Sequence, residues 1–423
     1  MRLPRTEHSL VSAAPQFDSS PDAYLARQPI FDARHRVVAF EILFRRGQVG
    51  SAGVVGTAES AQTLINALLE VGLQNLVGER KAFVNVPLEL LSDHLLVALP
   101  PERVVIEILE TTQATPEAIR AVQDLKSEGY MFAVDDYTFQ PELQPFVQMA
   151  DILKFDIQDA SLASARRHAG GFKYRGMQLL AEKVETLDEF EQWREIGFDL
   201  FQGYFLSKPT LLHSRRTQFN QGAVMQLMSR LQDPDVSLTT LEDIISTDVS
   251  LSVGLLRFVH SASVGAPPSL NSIRQAVMIL GIKRTAAIVS LLSLSNVSGK
   301  APALIANALQ RAKMCELLAK SHRMGNLDQY FTTGLLSLLD CFLGMEMSEI
   351  VEQLPLSEGI KSALLGSDDE SEIARVLCAA TRYERADWEA IEGSEFDPAD
   401  LSACYVESLQ WSDEIAATMN GVS

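Results

Sequence analysis

Between residues 24 and 209, short apolar runs rich in β-branched side chains alternate with stretches whose apolar residues recur every three or four positions. That alternation predicts parallel strands joined by crossover helices. The strand runs are 24–31, 37–45, 82–86, 104–109, 131–135, 152–155, 178–182 and 200–205. Only Asp32 to Arg36 separate the first two, so they predict a hairpin leading into the first barrel strand. Helix starts are marked between the later runs. Thr115 followed by Pro116 and Glu117 supplies an N-cap, a proline at the first helical position and an early negative charge. Thr186-Leu187-Asp188-Glu189 has the spacing of a capping box, and Gly197 marks the stop of that helix.

After Leu211 the strand signals vanish. Helical periodicity predicts helices over 251–259, 273–280, 283–292, 303–322 and 332–342. The chain therefore divides into a mobile N-terminal arm over 1–20, an α/β barrel over 21–210 and an all-helical domain over 211–423. Gly265 to Ser269 is a break within the helical half, and the acidic cluster of Asp368, Asp369, Glu370 and Glu372 predicts a solvated loop before further helix.

The length of 423 residues suits two or three domains, at roughly 100 to 200 residues each. With 36 Lys plus Arg against 55 Asp plus Glu, the net charge of −19 argues against binding to a nucleic-acid polymer. The four cysteines, Cys315, Cys341, Cys378 and Cys404, form no CxxC pair, which suits a reducing cytoplasm. No run reaches the ~18 consecutive apolar residues of a membrane span, so no membrane insertion is expected.

Polar side chains interrupt the apolar strands at their C-terminal ends: Glu41, Asn85, Glu107, Asp135, Asp136, Lys154, Glu182 and Gln202. In a β/α barrel that rim carries the active site. Any one of them read alone caps a helix, satisfies a turn or solvates a loop. One on nearly every strand suggests a shared cluster. Gathered carboxylates repel one another unless a cation neutralises them, and hard oxygen ligands suit Mg²⁺ or Mn²⁺. The matching chemistry is metal-assisted phosphodiester hydrolysis.

The order of these motifs resembles the EAL family of cyclic di-GMP phosphodiesterases, which are β/α barrels. The motifs are Glu41-Ile42-Leu43 with Arg45 nearby, Phe83-Val84-Asn85-Val86, Glu107-Ile108-Leu109-Glu110, Asp135-Asp136, Lys154-Phe155-Asp156, Ala181-Glu182-Lys183-Val184-Glu185-Thr186 and Phe201 to Pro209. The resemblance implies that Glu41, Asn85, Glu107 and Asp135 are metal ligands and that Asp136 and Glu182 complete the metal and water shell. It further implies that Lys154 orients the attacking water or stabilises developing charge, that Gln202 holds the substrate and that Arg45 contacts a phosphate. Two departures stand out. Where the family continues Phe-Gly-Thr-Gly after the double aspartate, this chain reads Tyr137-Thr138-Phe139-Gln140-Pro141; without glycines, a different loop path is expected. Lys183 replaces a family glycine and either brings a cation into the cluster or swings out.

In the helical half, Leu255 to Ala262, Ser272 to Val277 and Leu280-Gly281 resemble the HDOD family, a non-catalytic relative of HD phosphohydrolases linked to signalling and protein interaction. Leu339 stands before Asp340 where a hydrolase would need a His-Asp pair, and His260 and His322 read as structural, so no hydrolase centre is expected there. The combined resemblance implies bacterial signal transduction, with three readings open. The barrel hydrolyses cyclic di-GMP; or it binds the nucleotide as a receptor; or the helical half is the working part, engaging a signalling protein. A homodimer is a further option.

Overall fold

The computed structural model describes residues 23–46, 64–65, 67–69, 71–86, 99–203, 225–261, 264–265, 272–298, 302–367 and 371–419. The N-terminal arm, residues 204–210 of the last strand motif, most of the break after Gly265 and the acidic cluster at 368–370 lie outside them.

Eight strands close a barrel in chain order: β1 (Ala23–Asp32), β2 (Val37–Arg46), β3 (Lys81–Asn85), β4 (Val104–Ile108), β5 (Met131–Val134), β6 (Ile152–Asp156), β7 (Gln178–Glu182) and β8 (Leu200–Gln202). Strands β2 to β8 are parallel to their neighbours, while β1 is antiparallel to both β2 and β8. The hairpin therefore does not lead into the barrel, as the sequence suggests. Its first arm is a barrel strand that closes the ring. Helices α1 (Pro116–Ser127), α2 (Leu162–Tyr174) and α3 (Leu187–Ile196) pack outside. The predicted caps are present. Thr115 Oγ1 accepts from Ala118 N–H, and Thr186 and Glu189 exchange both bonds of a capping box.

Alternation along each strand sorts the side chains. One face joins the large core beneath the helices. The other face fills the barrel, where Ile30, Ala39, Phe83, Val105, Ala133, Ile152, Leu180 and Leu200 contribute one apolar residue from each strand to a plug. Such layers make a barrel interior a packed core rather than a pore.

The second half is helical: α4 (Leu238–Ser246), α5 (Val249–His260), α6 (Ile273–Leu280), α7 (Ile282–Ser298), α8 (Pro302–Ser321), α9 (Leu327–Leu336), α10 (Leu339–Leu343), α11 (Met347–Gln353), α12 (Glu358–Leu365), α13 (Glu372–Glu384), α14 (Trp388–Glu392) and α15 (Pro398–Met419). The helix expected over 332–342 is two helices. Ser337 ends α9, and its hydroxyl donates to Gly334 O while accepting from Arg311 on α8. Among the described residues no single helix is long and apolar enough to cross a membrane; the apolar pair α6 and α7 is bent by 117° at Gly281.

At the closing edge, Gly203 follows β8 with φ 144°, and a Cβ there would lie 2.1 Å from Val184 O. No side chain fits that approach. Gly203→Ala should therefore destabilise the barrel by about 3 kcal/mol and lower the melting temperature by about 5 °C, read by thermal unfolding.

Candidate active site

The residues two positions beyond the apolar plug, toward the rim, are polar on every strand. Ala39 is followed by Glu41, Phe83 by Asn85, Val105 by Glu107, Ala133 by Asp135, Ile152 by Lys154, Leu180 by Glu182 and Leu200 by Gln202. On antiparallel β1 the same step runs backward, from Ile30 to Gln28. Period-two geometry places all eight on the inner face as a polar layer over the plug.

Lys154 sits at its centre. The ammonium is wholly buried, 2.6 Å from Glu107 Oε1, 2.9 Å from Asp135 Oδ1, 3.0 Å from Glu182 Oε1 and 3.7 Å from Glu41 Oε2. These are buried ion pairs, with Glu107 Oε1 closest to the ammonium. Amides brace the carboxylates from the side. Asn85 Nδ2 donates to Glu41 Oε1 at 3.2 Å, and Gln202 Nε2 donates to Glu41 Oε2 at 2.5 Å and to Gln28 Oε1 at 2.9 Å.

The electrostatics follow from crowding in a dry place. Burial, then the neighbouring Glu41 charge, raises the Glu107 carboxyl well above the usual range although Lys154 opposes the shift. Burial likewise pushes Glu182 up to about 8 against the pull of Lys154. Burial alone would lower Lys154, but Glu107, Glu182, Glu41 and Asp135 outweigh it and hold the ammonium well above an ordinary lysine. Burial and the Asp135 charge raise Asp136.

The structure thus brings together Glu41, Asn85, Glu107, Asp135, Lys154, Glu182 and Gln202. Asp136 stands just beyond, and Asp135, Asp136 and Glu182 each offer an oxygen within 4.8 Å of the others, the one such metal-capable group among the described residues. Arg45 lies further along β2, half-buried and opposite Tyr24. Gln28 is the member missed in the sequence. Its signal was the backward step from Ile30 on a strand whose direction is reversed.

In the rebuilt loop positive φ falls at Asp136 and Phe139, 42° and 67°, and not at Thr138 or Gln140, which stand where the family has glycine. Aromatic packing holds the turn: Tyr137 is buried against Phe155, with ring centroids 5.7 Å apart, and Phe139 packs on His168 at 4.8 Å and on Phe172 at 6.4 Å. Lys183, at the place of a family glycine, has φ 54°, and its ammonium pairs with Asp156 instead of entering the cluster.

In the helical half, His260 Nδ1 lies 2.8 Å from Leu256 O, and His322 Nδ1 is 3.1 Å from Leu318 O and 3.0 Å from Ser321 Oγ. Asp340 accepts from Cys341 N–H at 2.7 Å.

A family model of the EAL domain matches residues 17–209 and one of the HDOD domain matches residues 220–358. Over 408 residues the chain is 35% identical to cyclic di-GMP phosphodiesterase CdgJ of Vibrio cholerae, covering 94% of each. The chain belongs to the EAL–HDOD family. A second relative of this EAL–HDOD protein, uncharacterized protein YuxH of Bacillus subtilis, is 32% identical over 400 residues, 92% of this chain and 97% of that one. Among solved structures, the manganese and cyclic di-GMP complex of Klebsiella pneumoniae BlrP1 is 26% identical over 45% of this chain and 57% of its own, with a TM-score of 0.37.

The donor set of this EAL–HDOD barrel fits a hard divalent cation. Asn85 Oδ1 and Glu107 Oε2 are buried without hydrogen bonds, and oxygen-only donors are the preference of such ions. Burial pushes Glu182 up to about 8, so a cation that takes this carboxylate displaces its proton. Mn²⁺ binding should therefore tighten as pH rises from about 6 to about 8 and release protons, which calorimetry in buffers of different ionisation enthalpy measures.

Proposed function

We propose that the barrel hydrolyses cyclic di-GMP to the linear dinucleotide with a divalent cation, Mg²⁺ or Mn²⁺, while the helical half, beginning near residue 211, carries the signal to a protein partner. The phosphodiesterase CdgJ, similar along nearly the whole chain, supports the substrate class. The observation that carries the reading is the excess of buried acid: Glu107, Asp135, Glu182 and Glu41 share the single ammonium of Lys154, and Asn85 Oδ1 beside them has no hydrogen bond. Positive charge from outside the protein would balance such a set.

Glu41, Asn85, Glu107 and Asp135 would hold the cation, with Asp136 and Glu182 completing its shell. When bound, the cation supplies a water acidic enough to attack phosphorus at neutral pH and a clamp on the phosphoryl oxygens. The residues do the rest. Once a cation has displaced its proton, the Glu182 carboxylate, grouped with Asp135 and Asp136, would be placed to accept the proton of the attacking water. The Lys154 ammonium, fixed among four carboxylates, faces the charge that develops on the phosphoryl oxygens. Gln202 holds Glu41 in orientation through its 2.5 Å hydrogen bond. Arg45, at the rim, is placed to contact a ligand phosphate. The apolar plug closes the barrel beneath, so substrate approaches from the rim alone.

A second reading has its own observation. The loop that follows the double aspartate is pinned by Tyr137 and Phe139 in an aromatic cluster, which favours a barrel that binds the nucleotide without turning it over. Purified protein incubated with cyclic di-GMP and Mn²⁺ separates the two. The phosphodiesterase reading expects linear product by chromatography, and at least about a hundredfold less in Glu41→Ala with folding intact. Bound but intact nucleotide in the parent supports the receptor reading, and neither product nor binding contradicts both.

A further inference from the structure

Strand β8 pairs with β1 only at Ile30 to Asp32, whereas β1 runs back to Ala23. From Leu25 to Pro29 the strand is paired with β2 on one side, and the residues that follow Gly203 lie outside the described ones. The backbone N–H and C=O groups on the other side of a strand need partners. The helical half provides them. Tyr405 Oη on α15 accepts from Arg27 N–H at 3.1 Å and donates to Arg27 O at 3.4 Å. Tyr383 Oη on α13 donates to Leu25 O at 3.2 Å. Pro29, the next residue on the same edge, has no N–H to satisfy.

The Arg27 side chain adds a second hold. Its guanidinium, buried, donates to both oxygens of Asp413 on α15 at 2.8 and 2.9 Å, to Leu76 O, and lies 4.1 Å above the Phe40 ring. Beside this clamp is a cavity of about 140 Å³ lined by Arg27, Gln28, Arg311 and Glu384. One residue along, Gln28 faces the opposite way and accepts from Gln202, which also donates to Glu41.

We propose that Asp413 and Tyr405 are positioning residues for the polar layer: by fixing the backbone at Arg27 they fix Gln28 and, through Gln202, the orientation of Glu41. The helical half is then part of the working barrel, and a displacement of α15 is felt at Glu41. The Mn²⁺ and kinetic consequences rest on the phosphodiesterase reading, whereas amide exchange over residues 26–28 does not.

The test uses the full chain with Asp413→Ala, Tyr405→Phe, the conservative Asp413→Glu, and Arg274→Ala as a control that breaks an exposed pair with Glu242 elsewhere in the helical half. Three quantities are read: amide exchange over residues 26–28, Mn²⁺ affinity by calorimetry, and kcat and KM for cyclic di-GMP. Asp413→Ala is expected to speed exchange at those amides about tenfold, weaken Mn²⁺ about tenfold and lower kcat about tenfold with KM within about twofold. Tyr405→Phe moves all three in the same direction, Asp413→Glu restores most of the loss, and Arg274→Ala matches the parent. A parent without turnover sinks the phosphodiesterase reading, while amide exchange still decides this one. Parent-like exchange over residues 26–28 in both Asp413→Ala and Tyr405→Phe overturns the proposal, as does accelerated exchange spread evenly over the whole barrel.

Discussion

A lysine ammonium with no exposure to water, ringed by four carboxylates, is the constraint around which the barrel is built. Removing one partner of a buried ion pair costs about 3 to 5 kcal/mol, because the remaining charge stays in a medium that cannot solvate it. Here the imbalance is larger, since one cation faces several acids. The protein answers by raising the carboxyls of Glu107 and Glu182, so that protons take the place of absent positive charge. A site that must hold protons to remain stable, and gives them up to a cation, is poised for exchange between the two.

Everything else in the first half serves to hold that ring of charges. The apolar plug fixes the height of each strand, the outer helices fix the strands, and the amides of Asn85, Gln202 and Gln28 fix individual oxygens. The helical half joins the barrel at the seam between β1 and β8, where the described pairing runs from Ile30 to Asp32. Helices α13 and α15 cover that seam with two tyrosine hydroxyls and an aspartate. Packing reinforces the junction, since Ala26 of β1 belongs to the same apolar cluster as Tyr383, Tyr405 and Leu409.

Much of this is legible in the chain because a strand's period is two. Strand positions, the caps at Thr115 and Thr186 and the polar layer from Glu41 to Gln202 all follow from local pattern. Gln28 escapes because the first arm of the hairpin is read as leading into the barrel and not as one of its strands; that arm runs backward, so its polar residue precedes the apolar one. The loop after Asp136 escapes for another reason. Absence of glycine argues against positive φ, at a cost of about 1 to 2 kcal/mol per residue, yet contacts of Tyr137 and Phe139 with residues from β6 and α2 outweigh it. Lys183 shows the same override with an ion pair to Asp156. The division of 332–342 into two helices is hidden because one serine between two leucine pairs is no helix stop by itself, and Ser337 is engaged by Arg311 from another helix.

The central claim is that Lys154 and a divalent cation balance the same set of carboxylates. Thermal unfolding of Lys154→Met, with chelator and then with saturating Mn²⁺, tests it most directly. The account predicts a marked loss of stability with chelator that Mn²⁺ largely reverses, as new positive charge replaces the missing ammonium. A variant as stable as the parent with chelator, or one destabilised without recovery in Mn²⁺, would contradict it.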